Sequence, residues 1–141
     1  MSTEENKAVA RRFVEVWNLG GTEVIDELAA PNLVVSYPLF PEEVHGPEAF
    51  KQLLAGVYQS FPDLGLRVDD MIAEGDKVAA RWTTWGTHQG DMPGLPATGK
   101  RAEWTGITIY RIAGGKVVEE RGEEDGLRML RQLGAIPQAG A

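Results

Sequence analysis

Asp125 stands where a charged segment, residues 117–123, gives way to an apolar repeat, Leu127, Leu130 and Leu133. Two kinds of chemistry suit a carboxylate there. It can accept the orphan N–H groups at the start of a helix beginning near Gly126. Beside an apolar cavity it can act as an acid/base, because desolvation disfavours its charged form and raises its pKa. Glu123 and Glu124 push the same way by repulsion. The two roles are compatible, and both stay open. Arg121 and Glu123 share strand parity with Asp125 when no bulge intervenes. If all three face inward, an Arg flanked by carboxylates polarises a water or an oxygen; otherwise the stretch is a solvated strand end. His88 has the intrinsic pKa of a general base or donor, but its setting, Gly86-Thr87-His88-Gln89-Gly90, equally suits a hydrogen bond that fixes a loop.

Other constellations fail on context. His45 falls in a loop, and two separated histidines make a poor metal site. Glu119, Glu120, Glu123 and Glu124 read as surface rather than as metal ligands. Gly114-Gly115 is a hairpin turn and not a phosphate loop, since no helix follows it. Ser36 and Ser60 have no histidine suitably placed for a triad.

The elements that must position these groups follow from periodicity. Ser2 and Glu5 have capping-box spacing, and Val9, Phe13, Val16 and Trp17 then recur on one helical face. Gly20-Gly21 ends that helix. Thr22 caps a second, short helix carrying Val24, Ile25 and Leu28. Ala30-Pro31-Asn32 stops it, and residues 33–37 form a short strand. After a proline-bearing loop over 38–45, Gly46-Pro47 opens a third helix with Phe50, Leu53, Leu54, Val57 and Phe61 as its buried stripe. The remainder alternates as strands: 64–73, 77–88, 100–112 and 117–123. Tight turns fall at Glu74-Gly75-Asp76 and Ala113-Gly114-Gly115-Lys116. Residues 89–99, with three glycines and two prolines, form a loop or lid, a last short helix carries Leu127 to Leu133, and 134–141 is a tail. Helices segregated from an antiparallel sheet define an α+β fold. A strongly bent sheet with three N-terminal helices over its open side encloses one pocket in a cone. One domain spans residues 1–141.

Composition narrows the partners. Fourteen basic and twenty-one acidic residues leave a net charge of −7, which repels phosphate backbones and argues against nucleic acid. There is no cysteine, so thiolate chemistry and disulfides are excluded. No apolar run approaches the ~20 residues of a membrane span, and the charged start does not read as a signal peptide. The expectation is a soluble, cytoplasmic protein. Trp82 and Trp104 fall on neighbouring strands, and Trp104 shares parity with Gly106 and Thr108. Trp85 has the opposite parity to Trp82, so one of the two faces outward. Trp82, Trp104, Trp17, Tyr37, Phe13 and Met92 suit a flat or ring-shaped apolar ligand. Gly106, lacking a side chain, is expected to widen the pocket.

Several segments are similar to a known family. Asn6 to Phe13 followed by Val16-Trp17-Asn18 resembles the opening helix of SnoaL-like polyketide cyclases, of the NTF2-like superfamily. So do Gly46-Pro47-Glu48, Phe61-Pro62-Asp63-Leu64, Ala73 to Ala79, Arg81-Trp82-Thr83, Gly86 to Gly90 and Gly94 to Gly99. Asp125 followed by Leu130-Arg131-Gln132-Leu133-Gly134 is the most specific match. The resemblance implies an α+β cone, often dimeric through the outer sheet face, and ring closure by intramolecular aldol addition without metal or organic cofactor. It also implies that Asp125 is the acid/base and that Thr108 lies on the pocket side. The founding cyclases carry Asn, Gln and His where this chain has Val35, Gly106 and Thr108, and many relatives carry His-Trp at Glu120-Arg121. Two other readings stay open: hydrolysis of an epoxide or ester through Arg121 and the carboxylates, as in limonene-type epoxide hydrolases of the same cone fold, and a non-catalytic small-molecule-binding module. With Thr108 inward, Ile107, Ile109 and Val118 fall on the outer face, and an exposed apolar face of that kind predicts a homodimer.

Overall fold

The computed structural model describes residues 1–18 and 21–137. Helix α1 (Thr3–Phe13) starts where the sequence places it. Glu5 N donates to Ser2 Oγ at 3.1 Å and Ser2 N to Glu5 Oε1 at 3.2 Å, closing the capping box. It runs into a 3₁₀ turn, Val14–Trp17, which buries Val16 and Trp17. Gly20, expected to end the helix, lies outside the described residues, as do positions 138–141 of the tail. Helix α2 (Glu23–Leu28) follows, but the expected cap is not made, since the Thr22 side chain accepts no helix N–H.

Strand β1 (Ala29–Ser36) begins earlier than the proline suggested. A two-residue strand β2 (Val44–His45) occupies what reads in sequence as loop. Helix α3 (Pro47–Ser60) opens behind Gly46, whose φ of 90° favours glycine, and closes at Phe61, whose N–H returns to Val57 O at 2.8 Å. Strands β3 (Gly65–Glu74), β4 (Lys77–Thr87), β5 (Arg101–Ala113) and β6 (Lys116–Glu124) follow, then helix α4 (Gly126–Gln132). Asp63 ties the α3–β3 connection to the far end of β4, accepting from Thr87 N at 2.7 Å and Thr87 Oγ1 at 2.8 Å.

The six strands form one sheet in the order β2-β1-β6-β5-β4-β3. All pairs are antiparallel except β1 with β6, which the helical crossover makes parallel. Register shifts interrupt three of the pairs: β1–β6 between Ala29 and Val34, β3–β4 between Val68 and Asp70, and β5–β6 between Arg111 and Ile112. Bulges bend and twist a strand locally, and the sheet curves around the helices laid on its inner face. The shift in β6 corrects one expectation. Val117 pairs with Ile112 and Glu119 with Arg111, so Val118 is the extra residue. It is buried rather than outward. Ile107 and Ile109 do lie on the outer face, 50% and 47% exposed, with Ile72 at 67%.

The inner face is built in rows. Trp82 pairs with Gly106 and Gly106 with Glu124; Ala80 pairs with Thr108 and Thr108 with Gly122; Val78 pairs with Tyr110 and Tyr110 with Glu120. Large and small side chains alternate across the rows, as interdigitated packing requires. A Cβ at Gly106 would lie 2.4 Å from the Trp82 ring, and one at Gly122 2.1 Å from the Tyr37 ring. Gly106 therefore does not widen the cavity: its missing side chain is the space into which Trp82 packs.

This packing predicts that Gly122→Ala displaces Tyr37 and lowers stability by about 1–3 kcal/mol. Urea unfolding measures it, and a wild-type midpoint would mean that the ring is not held on this glycine.

Candidate active site

Between the inner sheet face and the helices lies a cavity of about 760 Å³, within the range of small-molecule sites. Its wall carries Trp17, Tyr37, Phe40, Phe61, Trp82, Trp104 and Tyr110, with aliphatic residues from α3 and α4. The loop over residues 89–99 adds Asp91, Met92, Pro93 and Leu95. Trp17, Tyr37, Trp82, Trp104 and Met92, expected as ligand contacts, therefore converge on one space. Trp85 takes the other sheet face, where its ring fills the position a Cβ would occupy at its strand partner Gly65.

Arg121, Glu123 and Asp125 share a face as their parity predicts, but that face points outward. Glu120, Gly122 and Glu124 share the inner face with Thr108 and Gly106, while Arg121, Glu123 and Asp125 are exposed. The reason is register: Thr108, facing inward, is paired with Gly122, so even positions of this stretch follow it. Arg121 donates Nη1 to Glu43 Oε2 at 2.6 Å and Nε to Glu119 Oε2 at 2.9 Å. It lies outside the cavity wall, and the arginine–carboxylate arrangement expected for hydrolysis is not assembled there. Asp125 caps α4, its Oδ1 accepting from Arg128 N at 3.0 Å, and it does not line the cavity. Two carboxylates do: Asp91 of the 89–99 loop, whose Oδ1 accepts from Ala97 N at 2.8 Å, and Glu124, the residue before Asp125. Trp104 Nε1 donates to Glu124 Oε1 at 2.9 Å. Burial raises the Glu124 pKa, the indole bond opposes the rise, and Glu123 adds to it.

His88 is fully buried at the foot of the 89–99 loop and is not part of the cavity wall. Thr98 N donates to His88 Nδ1 at 3.2 Å, with Thr98 Oγ1 3.1 Å from the same nitrogen. Its backbone pairs with Lys100 and Gly99, and its ring packs on Phe61 at a centroid distance of 5.5 Å. This is the loop-fixing arrangement rather than that of a cavity base. Thr108 takes the pocket side of the sheet, as the resemblance implies, but does not line the cavity as a ligand contact would. It is buried behind the wall, where Trp82 Nε1 donates to its Oγ1 at 2.9 Å and the Tyr37 hydroxyl lies 2.9 Å away.

Glu120 is the feature that sequence reading missed. It is wholly buried; its Oε2 accepts from the Tyr37 hydroxyl at 2.5 Å and from Trp17 Nε1 at 2.8 Å. Desolvation lifts its pKa from 4.5 to about 7, against the pull of those two hydrogen bonds. Its presence in turn raises the pKa of Tyr37 and Tyr110, for which burial is the larger cause. In sequence Glu120 is one of a run of acidic residues. Only its pairing with Tyr110 reveals that it points inward. Among the described residues, no group of three or more histidine or acidic side chains is arranged to hold a metal ion. No helix among them is long and apolar enough to cross a membrane.

Comparison with known proteins bears on the class. A family model for the SnoaL-like polyketide cyclase matches residues 7–133, and the chain belongs to that family. It is 32% identical over 132 residues to aklanonic acid methyl ester cyclase DauD of Streptomyces sp. (strain C5), covering 89% of this chain and 80% of DauD. To aklanonic acid methyl ester cyclase DnrD of Streptomyces peucetius it is 32% identical over 140 residues, 95% of this chain and 92% of that one. Among solved structures, AclR from Streptomyces galilaeus, a candidate hydroxylase, superposes with a TM-score of 0.83. It is 33% identical, with 98% of this chain and 86% of AclR covered.

The position of Glu120 generates a pH prediction. An acid whose pKa is raised in the folded state binds its proton more tightly there. Its contribution to stability is complete below about 4.5 and is lost as pH rises through about 7. A shift of that size corresponds to roughly 3 kcal/mol. Glu120→Gln, isosteric and uncharged, is expected to remove roughly 2–3 kcal/mol of the wild-type stability loss between pH 5 and pH 8. Denaturant unfolding at both pH values checks it; parallel pH profiles for the two proteins would count against a buried, titrating Glu120.

Proposed function

We propose that this protein is a cyclase that closes a ring in a flat, polyketide-like carbonyl compound by intramolecular aldol addition, with Glu124 as the acid/base. The observation that carries the reading is a half-buried carboxylate, its pKa raised by desolvation, set in the wall of a largely apolar cavity rich in aromatic side chains. A base in such a setting works near neutral pH. Glu124 takes a proton from a carbon next to a carbonyl, the enolate carbon bonds to a second carbonyl carbon of the same molecule, and Glu124 returns the proton to the resulting alkoxide. Substrate and product are isomers, so the step balances without a co-reactant. The aromatic walls support it by holding the chain folded with its reacting carbons together, which removes much of the entropic barrier. The cyclase names of DauD and DnrD point the same way.

The same reading makes Asp125 a helix cap. With aklanonic acid methyl ester as substrate, Glu124→Gln is expected to lose on the order of 10²–10⁴ in kcat. Asp125→Asn, which can still accept the helix N–H, is expected to stay within a few-fold of wild type. Both are checked for folding by circular dichroism. Loss of turnover in Asp125→Asn with Glu124→Gln active would transfer the role to Asp125.

We also propose a homodimer through the outer sheet face. Ile72, Ala79 and Ile109 form a cross-strand row there, and Ile107 pairs with Arg81 in the next. Light scattering is expected to give twice the 15.4 kDa chain mass, and Ile109→Lys to shift the protein to monomer. A monomeric wild type at micromolar concentration overturns it.

A further inference from the structure

The polar side chains of the cavity wall are one-sided: their acceptors are free and their donors are spent. Trp17, Trp82 and Trp104 give their indole N–H, and Tyr37 its hydroxyl, to Glu120, Thr108 and Glu124. The Ser60 and Thr84 hydroxyls donate to backbone carbonyls, and burial seals the Tyr110 hydroxyl from a ligand. The side-chain donors left are the amides of Gln52 and Gln59, both exposed residues of α3. Charge is one-sided too. The wall holds two carboxylates, Asp91 and Glu124, and among the described residues no lysine, arginine or histidine. Ala97 N occupies Asp91 Oδ1, and Trp104 Nε1 occupies Glu124 Oε1. Glu124 Oε2 takes no hydrogen bond from the described residues and is not among the buried orphaned atoms, so it stays open to a ligand.

We infer that the cavity is a site for organic cations: a protonated amine borne on an aromatic or alicyclic ring, donating its N–H to Glu124 Oε2 and set among the tryptophan and tyrosine rings. Cations are drawn to aromatic faces, more strongly where water is excluded. Trp17, Tyr37 and Trp104 donate to carboxylates, and a hydrogen bond to an anion polarises a ring so that its face becomes more negative. Burial makes the charged form of Glu124 costly. A cation against Oε2 offsets that cost, and an N–H donated between opposite charges is among the stronger hydrogen bonds. A neutral hydroxyl meets the same oxygen without the charge. A ligand carboxylate is repelled by both acids and finds no base in the wall to pair with. The net charge of −7 biases approach in the same direction. Amines are thus a second ligand class for the site, and one that covers the proposed base. The inference rests on the cavity being the ligand site, but not on the cyclisation step.

Titration calorimetry at neutral pH with three unreactive probes of similar size tests it: 2-naphthylmethylammonium, 2-naphthylmethanol and 2-naphthoate. Wild type is expected to bind the ammonium at least about tenfold more tightly than the alcohol, and the alcohol more tightly than the carboxylate. Glu124→Gln removes the charge but keeps an acceptor for Trp104. It is expected to cut the preference for ammonium over alcohol to about threefold or less. Asp91→Asn, which can still accept from Ala97 N, is expected to narrow the preference by about twofold, as suits a more exposed charge. Circular dichroism checks that both variants fold. The readout is a ratio of two affinities within one protein, so a loosened pocket that weakens both probes alike does not imitate the result. Equal affinities of wild type for ammonium and alcohol, tighter binding of the carboxylate, or an unchanged preference in Glu124→Gln would overturn the cation site. So would bound ammonium that saturating 2-naphthylmethanol fails to displace, since it then sits on the acidic surface. Because no turnover is read, failure of the cyclase assay leaves this result standing; failure of all three probes to bind would overturn the cavity as ligand site and the cation site with it.

Discussion

The cavity depends on keeping the polar tips of its aromatic walls satisfied. Trp17, Tyr37 and Trp82 each bring a large apolar face and one polar atom, and a buried indole N–H or phenol O–H needs a partner. Thr108 and Glu120 supply those partners from the inner face of the sheet. They can do so because Gly106 and Gly122 leave room for the Trp82 and Tyr37 rings to lie against the strands. The hydrogen bonds run in one direction: Trp82 N–H donates to Thr108 Oγ1, and Tyr37 O–H donates to Glu120 Oε2. A side chain at either glycine would push a ring out of reach of its acceptor.

Strand β6 shows how one acidic run serves two environments. Glu119 lies among Arg111 and Arg121, whose hydrogen bonds and charge hold its pKa below the usual carboxylate range. Glu120, the next residue, faces the interior and is shifted the opposite way by desolvation. The pleat sets this alternation, and it repeats at Glu123, outside, and Glu124, in the cavity wall. Carboxylates whose surroundings push their pKa values apart are a mark of sites where proton transfer occurs.

Family membership fixes the scaffold more firmly than the reaction. The chain shares its fold with methyl ester cyclases and with a candidate hydroxylase, so chemistry has to be argued from the site. Here the polar groups of the inner face are Glu120, Glu124, Tyr37, Tyr110 and Thr108. The Asn, Gln and His that the resemblance leads one to expect are replaced by Val35, Gly106 and Thr108. Each of the three is paired with a strand neighbour that serves the aromatic network: Val35 with Glu120, Gly106 with Trp82, and Thr108 with Gly122.

Local chemistry was legible in the chain because it depends on near neighbours. The capping box of Ser2 and Glu5, the Gly46-Pro47 start of α3, the Phe61-Pro62 stop and the long strands are all properties of a few consecutive residues, and they stand close to where the pattern put them. The aromatic lining was legible too, since large apolar residues on paired strands have few places to go. The identity of the inward carboxylates was not. Strand parity assigns faces only relative to a reference, and the bulge that buries Val118 breaks the count before Glu120 is reached. Whether Asp125 faces a cavity or a helix end depends on where α4 turns away from β6, a matter of packing against β5. Local propensity and burial account for every element but the two-residue β2, for their order and for the aromatic character of the pocket. Which acids are desolvated emerges with the packing, because desolvation is a property of everything around a group and not of its neighbours in the chain.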